Sequence, residues 1–200
     1  MRNFSFYNPT KIHFGEGQIA KLGKEIPPGS RVLVTHGGGS IFNNGVWAQV
    51  EQALQGFSIS RFGGIEANPQ FDTLLRAAEQ AKAEQCDFIL AIGGGSVIDG
   101  TKFVAAAALF EGDPWAILEK RGGNITQALP FGSVLTLPAT GSEMNNGSVV
   151  TRKSLQAKMA FSSNHCYPKF SVLDPATTLT LPVRQVGNGV VDAFAHVMEQ

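Results

Sequence analysis

The stretch DFILAIGGGSVIDGTK, residues 87–102, decides the fold. Residues 88–92 form an unbroken apolar run, the pattern of a strand buried on both faces of a parallel sheet. Gly93, Gly94, Gly95 and Ser96 follow, and a helical pattern over 96–110 starts straight off them. Glycines let a ligand approach the main chain, and a helix N-terminus offers free N–H groups and a positive dipole end. Strand, glycine loop and helix together predict a cradle for a phosphate or pyrophosphate. A tight strand-to-helix turn with no ligand is the plainer alternative. The motif is neither G-x-G-x-x-G nor a Walker loop, so by itself it names no nucleotide.

Outward from this stretch, strands and helices alternate. Residues 31–37 (RVLVTHG) and 58–65 (SISRFGGI) read as strands that end in glycine. Residues 43–56 and 71–85 carry apolar residues at helical spacing, with Asn68-Pro69 and Asp72 as entry signals for the second. The first hundred residues thus read β-α-β-α-β, which predicts a doubly wound α/β domain with a parallel sheet. Further strands are expected at 133–140, 148–153 and 170–175, while 111–130 has no readable pattern. Pro175 and Pro182 precede a return to helical spacing from Arg184. A boundary near 182 is expected, with residues 1–182 as one domain and 183–200 as the start of another.

Sixteen basic and sixteen acidic residues balance to zero net charge. That speaks against a nucleic-acid or anionic-membrane partner. The apolar stretch at 103–110 is too short to span a bilayer, and the first fifteen residues hold no secretory signal, so the cytoplasm is expected. Cys86 and Cys166 lack metal-type spacing and read as inert thiols.

Three more stretches bear on chemistry. Gly37, Gly38, Gly39 and Ser40 end the strand at 31–36 without the acidic residue that would bind a ribose diol. Backbone donors and the Ser40 hydroxyl would accept a 2′-phosphate, which favours NADP(H) over NAD(H). In LPATGSEMNNGSVV (137–150), Thr140, Ser142 and Asn145 group polar side chains after a strand, as turns also do. Asp192 and His196 stand one helical turn apart among apolar residues. They could ligate one cation, or be a pair that stabilises the helix. His13, His36 and His165 have no partner at ligand spacing. No nucleophile with a positioned base is visible, so covalent catalysis has no support.

The chain resembles the iron-containing, or group III, alcohol dehydrogenases, in particular their NADPH-dependent aldehyde reductase and butanol dehydrogenase branch. The matching pieces are FGEG (14–17), GGGSVIDGTK (93–102), TLPATGSEMN (136–145), LDP (173–175) and NGVVDAFAHVMEQ (188–200). The resemblance implies a Rossmann-like α/β domain followed by an all-helical, dehydroquinate synthase-like domain, of which residues 183–200 would be the first helix. It implies that Gly94, Gly95 and Ser96 hold the pyrophosphate, and that Gly37, Gly38 and Ser40 match the NADP(H)-preferring members. Thr136, Thr140 and Asn145 would line the cofactor cleft. Lys158 and Asp99 would lie near the nicotinamide as catalytic and cofactor-binding residues. Asp192 and His196 would be the first two ligands of a divalent metal, Fe2+ or Zn2+. The implied activity is hydride transfer between NADP(H) and a small aldehyde or alcohol, in an enzyme expected to be a homodimer. A glycerol dehydrogenase-like relative is the enzymatic alternative. A nucleotide-binding unit with little turnover alone is the other.

Overall fold

The computed structural model describes residue 3, residue 5 and residues 7–199, with the side chain of His196 left out. The chain runs β1 (Lys11–Phe14), α1 (Leu22–Glu25), β2 (Arg31–His36), α2 (Val46–Ala53), β3 (Ser58–Phe62), α3 (Phe71–Ala83), β4 (Phe88–Gly94), α4 (Gly95–Ala107) and α5 (Trp115–Glu119). It continues through β5 (Phe131–Leu137), β6 (Gly147–Arg152), β7 (Ala157–Ser162), β8 (Phe170–Leu173) and α6 (Val183–Met198). The strands read at 31–37, 58–65, 87–95, 133–140 and 170–175 are all present, and so are the four longer helices.

Six strands form one sheet in the order β1-β8-β5-β4-β2-β3, every pairing parallel. Its central strands are apolar at nearly every position because both faces are covered. Leu33, Ile89, Ala91, Phe131 and Leu135 pack toward α3 and α4. Val32, Val34, Phe88, Leu90, Ile92 and Val134 pack toward α1 and α2 on the other face. Alternate residues thus serve two cores, and the strand reads as one continuous hydrophobic run. Gly100 lets α4 lie close on α3: a Cβ there would stand 2.7 Å from Leu74 Cδ2.

The strand order fixes where a ligand can enter. From β2 the chain goes outward to β3, returns to β4 beside β2, and then proceeds through β5 and β8 to the opposite side. The reversal lies between β2 and β4. In open α/β sheets the crevice at the carboxyl ends of such a strand pair is the usual binding position. Gly37–Gly39 follow β2, and Gly93 and Gly94 end β4 with Gly95 opening α4, so both glycine clusters meet there.

Two findings depart from the sequence expectation. The strand at 148–153 does not join the parallel sheet. It is β6, which pairs antiparallel with β7 in a separate hairpin. Thr151 N donates to Pro69 O (2.9 Å), and the Arg152 guanidinium lies over Phe71 and Trp115, 4.7 and 5.0 Å from the ring centroids. The hairpin therefore packs outside the sheet, over α3 and α4. The unreadable 111–130 segment holds the five-residue α5, and Leu129 N closes it onto α4 through Ala105 O (2.9 Å). A helix of barely more than one turn leaves no periodic pattern to read.

Candidate cofactor cleft and metal helix

The glycines after β4 are needed first for packing. A Cβ on Gly93 would stand 2.6 Å from Val97 Cγ2, on Gly94 3.2 Å from Leu137 Cβ, and on Gly95 2.1 Å from Thr140 Oγ1. None of the three takes a positive φ. Their smallness lets α4 start directly at the sheet edge, with Thr140 pressed on its first turn. Among the described residues no side chain caps α4, and its first turn holds no acidic residue. Among the described residues its N-terminal N–H groups therefore have no capping side chain and no first-turn carboxylate competing for them. The Ser96 hydroxyl donates to Ala67 O (2.5 Å), which draws the 66–70 loop against that turn.

The cluster after β2 is different. Gly38 faces open space, with nothing within 4 Å of where a Cβ would stand, and Gly39 needs its freedom because its φ is +95°. Gly39 precedes the turn Ser40–Phe42, whose Ser40 is exposed. Arg61, on the neighbouring β3, lies over Phe42 and Trp47, 5.6 and 5.2 Å from the ring centroids. A cation thus stands beside the Ser40 turn. His36 is a core residue: it is buried, meets Phe42 edge to face, and its Nδ1 is 3.0 Å from Gly37 O. Burial holds its pKa below the usual value.

Asp99 and Lys102, one turn apart on α4, grip the 142–149 segment. Lys102 is 0% exposed. Its Nζ donates to Ser142 Oγ (2.8 Å), Asn145 Oδ1 (2.8 Å) and Gly147 O (2.7 Å). Asp99 Oδ1 accepts from Ser142 Oγ (2.5 Å), its Oδ2 accepts from Val149 N (3.0 Å), and its main-chain oxygen accepts from Ser148 Oγ (2.7 Å). Burial pushes the Lys102 pKa down to about 8 against the opposing pull of Asp99. Burial also raises the Asp99 carboxyl, against the bond from Ser142 and the charge of Lys102. Both Asp99 oxygens are hydrogen-bonded to the 142–149 segment, which tethers that segment to α4. Asp99 also borders a cavity of 470 Å³ with Thr140, Asn145 and Arg121.

Thr136, at the carboxyl end of β5, is half-buried, and Thr140 is exposed above Gly95. Asn145 is occupied by Lys102 and by Gly147 N (3.0 Å), which makes it a strut of the cleft wall. Lys158 lies on β7, exposed, with Nζ donating to Asn68 Oδ1 (3.0 Å). Ser96 reaches Ala67, the adjacent residue, so Lys158 and the start of α4 meet on one loop. Cys86 and Cys166 are buried free thiols, the second pushed up to about 12 by burial.

α6 carries the other predicted residues. Asp192 is exposed and lines a 590 Å³ cavity between α6 and the 137–143 segment, together with Glu143. His196 is within the helix, and its side chain lies outside the described residues. Most of the helix is exposed, Phe194 at 66% and Val183 at 88%.

This geometry meets an independent match: the model of the iron-containing alcohol dehydrogenases fits residues 9–175. The chain belongs to that family. It is 54% identical over its full length to the NADPH-dependent aldehyde reductase YqhD of Escherichia coli K12, and 45% identical to a probable NADH-dependent butanol dehydrogenase of Bacillus subtilis. The chain spans 52% of each of these relatives. A crystal structure of E. coli YqhD superposes with a TM-score of 0.94 over 99% of this chain and 51% of that one. The NADH-dependent butanol dehydrogenase A of Thermotoga maritima superposes at 0.92, with 44% identity, over 100% of this chain and 51% of that one. The parallel six-stranded α/β fold is thus the fold of half of these iron-containing alcohol dehydrogenases.

Three residues of this family member escaped the sequence reading. Lys102 sits inside GGGSVIDGTK, three residues after Asp99 and on the same helical face, a spacing that could have flagged it. Glu143 sits inside TGSEMN with no local sign that it is buried. Arg61 is an isolated basic residue in a strand, and only the pairing of β2 with β3 brings it to the loop after β2.

Proposed function

We propose that the chain is the nucleotide-binding part of a metal-dependent, NADP(H)-linked alcohol dehydrogenase or aldehyde reductase. The observation that carries this is the meeting of two glycine clusters at the carboxyl ends of β2 and β4, where the strand order reverses. The uncapped first turn of α4, at Gly94, Gly95 and Ser96, is suited to a pyrophosphate. Gly38 leaves room at the second loop beside Gly37, where a Cβ would touch Ile65 O at 3.4 Å, and Ser40 with Arg61 supplies a hydroxyl and a cation suited to a 2′-phosphate. Thr136 and Thr140 border the cleft. Lys158 reaches the loop that Ser96 also touches, in a position to meet the cofactor's far end. Lys102, Asp99 and Asn145 hold the cleft wall in place through their hydrogen bonds.

Asp192 and His196 would hold the metal. The donor chemistry fits: a carboxylate and an imidazole one turn apart suit Fe2+ or Zn2+, and Glu143, which lines the same cavity as Asp192, has a buried carboxylate oxygen without a hydrogen-bond partner among the described residues. A divalent cation there supplies Lewis-acid polarisation of an aldehyde or alcohol oxygen. Residues 183–200 would then begin the second domain. No helix of the described residues is long and apolar enough to cross a membrane.

Titration of the chain with NADPH and with NADH tests the cofactor reading. NADPH is expected to bind more tightly. Ser40→Asp is expected to weaken NADPH by roughly tenfold, about 1.4 kcal/mol, with a smaller effect on NADH. Arg61→Ala shifts the same way. Equal losses for both cofactors would remove the 2′-phosphate assignment, and no binding of either would remove the nucleotide site.

A further inference from the structure

Glu143 occupies the second place of the 3-10 turn Ser142–Met144, between the end of β5 and the hairpin. Its main chain is pinned from below by two buried serines: Ser133 Oγ donates to Ser171 Oγ, and Ser171 Oγ donates to Glu143 O, each at 2.7 Å. The residue is only 8% exposed, and its Oε2 is buried with no hydrogen-bond partner among the described residues. An unpaired buried carboxylate oxygen is costly, and chains keep such a group where a ligand completes it. The nearby cation does not complete it. Lys102 feels the charge of Glu143, yet its three N–H bonds go to Ser142, Asn145 and Gly147. What Glu143 does face is the 590 Å³ cavity whose opposite wall is the Asp192 turn of α6.

We infer that Glu143 is a further residue of the cation site on α6, the charge on its buried Oε2 balancing the cation's across the cavity that Glu143 and Asp192 both line. The inference rests on the reading of Asp192 as a metal ligand. It makes Glu143 a positioning residue contributed by the sheet side, so that the cation ties α6 to the 142–144 turn. The pinned main chain gives that oxygen a fixed place before any cation arrives.

The test is a calorimetric titration of the chain with Zn2+, for the native sequence, Asp192→Ala and Glu143→Gln, with thermal melting in EDTA and in Zn2+. Glu143→Gln is expected to weaken Zn2+ binding by roughly tenfold, as loss of an outer partner of a metal site does. It is also expected to raise the melting temperature in EDTA, because the unpaired charge is gone, and to reduce the gain in melting temperature on adding Zn2+. A purely structural role would lower the EDTA melting temperature and leave Zn2+ affinity unchanged. If Asp192→Ala weakens binding and Glu143→Gln does not, the role of Glu143 falls while the Asp192 reading stands. If the native chain binds no Zn2+, or Asp192→Ala binds it equally well, the Asp192 reading falls and takes the inference with it. Should Glu143→Gln fail to fold, Glu143→Asp keeps the charge but withdraws it by one methylene. It is expected to weaken Zn2+ binding in the same titration, and unchanged affinity would again overturn the inference.

Discussion

α4 and the 142–144 turn both carry charged residues of the candidate site, and they hold them in opposite ways. On α4, Lys102 and Asp99 are tied to the 142–149 segment through Ser142, Asn145, Gly147 and Val149, and each bond is closed within the chain. On α6, Asp192 stands on an exposed helix whose apolar residues Val190, Val191, Phe194 and Val197 are exposed as well. Across the cavity from it, in the turn, Glu143 Oε2 is buried without a hydrogen-bond partner among the described residues. The difference separates scaffold from site. A completed polar network specifies one geometry, whereas an incomplete one leaves valence for something else.

The largest test of this contrast is Lys102→Met. It leaves the buried Ser142 hydroxyl oxygen without its donor and the half-buried Asp99 without its cation, so a loss of roughly 3–5 kcal/mol in urea unfolding is expected. A loss below about 1 kcal/mol would show that the 142–149 segment does not depend on this network. The same pair of proteins gives a pH signature. Unfolded lysine holds its proton to about pH 10.5, whereas folded Lys102 releases it near pH 8. Between those values the unfolded chain binds more protons, so this residue's contribution to stability rises with pH and is lost as pH falls toward 8. The stability gap between native chain and Lys102→Met should therefore widen from pH 8 to 10.5, by on the order of 2–3 kcal/mol. A flat difference would mean that Lys102 titrates normally.

The two glycine clusters give a test of intermediate size. Gly95→Ala drives a methyl to 2.1 Å from Thr140 Oγ1. It should cost roughly 1–3 kcal/mol of stability. Gly38→Ala meets nothing within 4 Å and should lie within about 0.5 kcal/mol of the native chain, while weakening NADPH if a ligand fills that space. Equal stability effects at the two sites would remove the distinction between a packing glycine and a binding glycine.

The smallest effect is expected from the α6 side. A chain ending at Pro182 loses a helix whose apolar face is mostly in solvent. The sheet domain should keep its unfolding free energy to within about 1 kcal/mol, since little buried area is lost. A larger fall would show that α6 is already integrated with the sheet and would erase the contrast.

Much of this was legible in the residues themselves. Apolar runs ending in glycine or proline located five strands of the parallel sheet, because burial on both faces leaves few polar positions to confuse the pattern. The glycine clusters mark the carboxyl ends of β2 and β4, although the three at the end of β4 prove to be required by Val97, Leu137 and Thr140 irrespective of any ligand. The Asp192–His196 spacing was readable because helical period is local. The 148–153 strand was legible as a strand, but not its partner, since Thr151 pairs with Lys158 rather than with the sheet.

The sequence by itself determined the alternation of elements, the glycine-edged strands and the polar residues on α6, because each depends on neighbours a few positions away. Only the tertiary structure decided that β2 and β4 lie side by side, that the 147–162 hairpin leaves the sheet, that Lys102 is buried, and that Glu143 faces Asp192 across one cavity. Lys102 meets its partners 40 to 45 residues further along the chain. Whether a charge is solvated or buried is fixed by which distant segments close over it, and no local pattern records that.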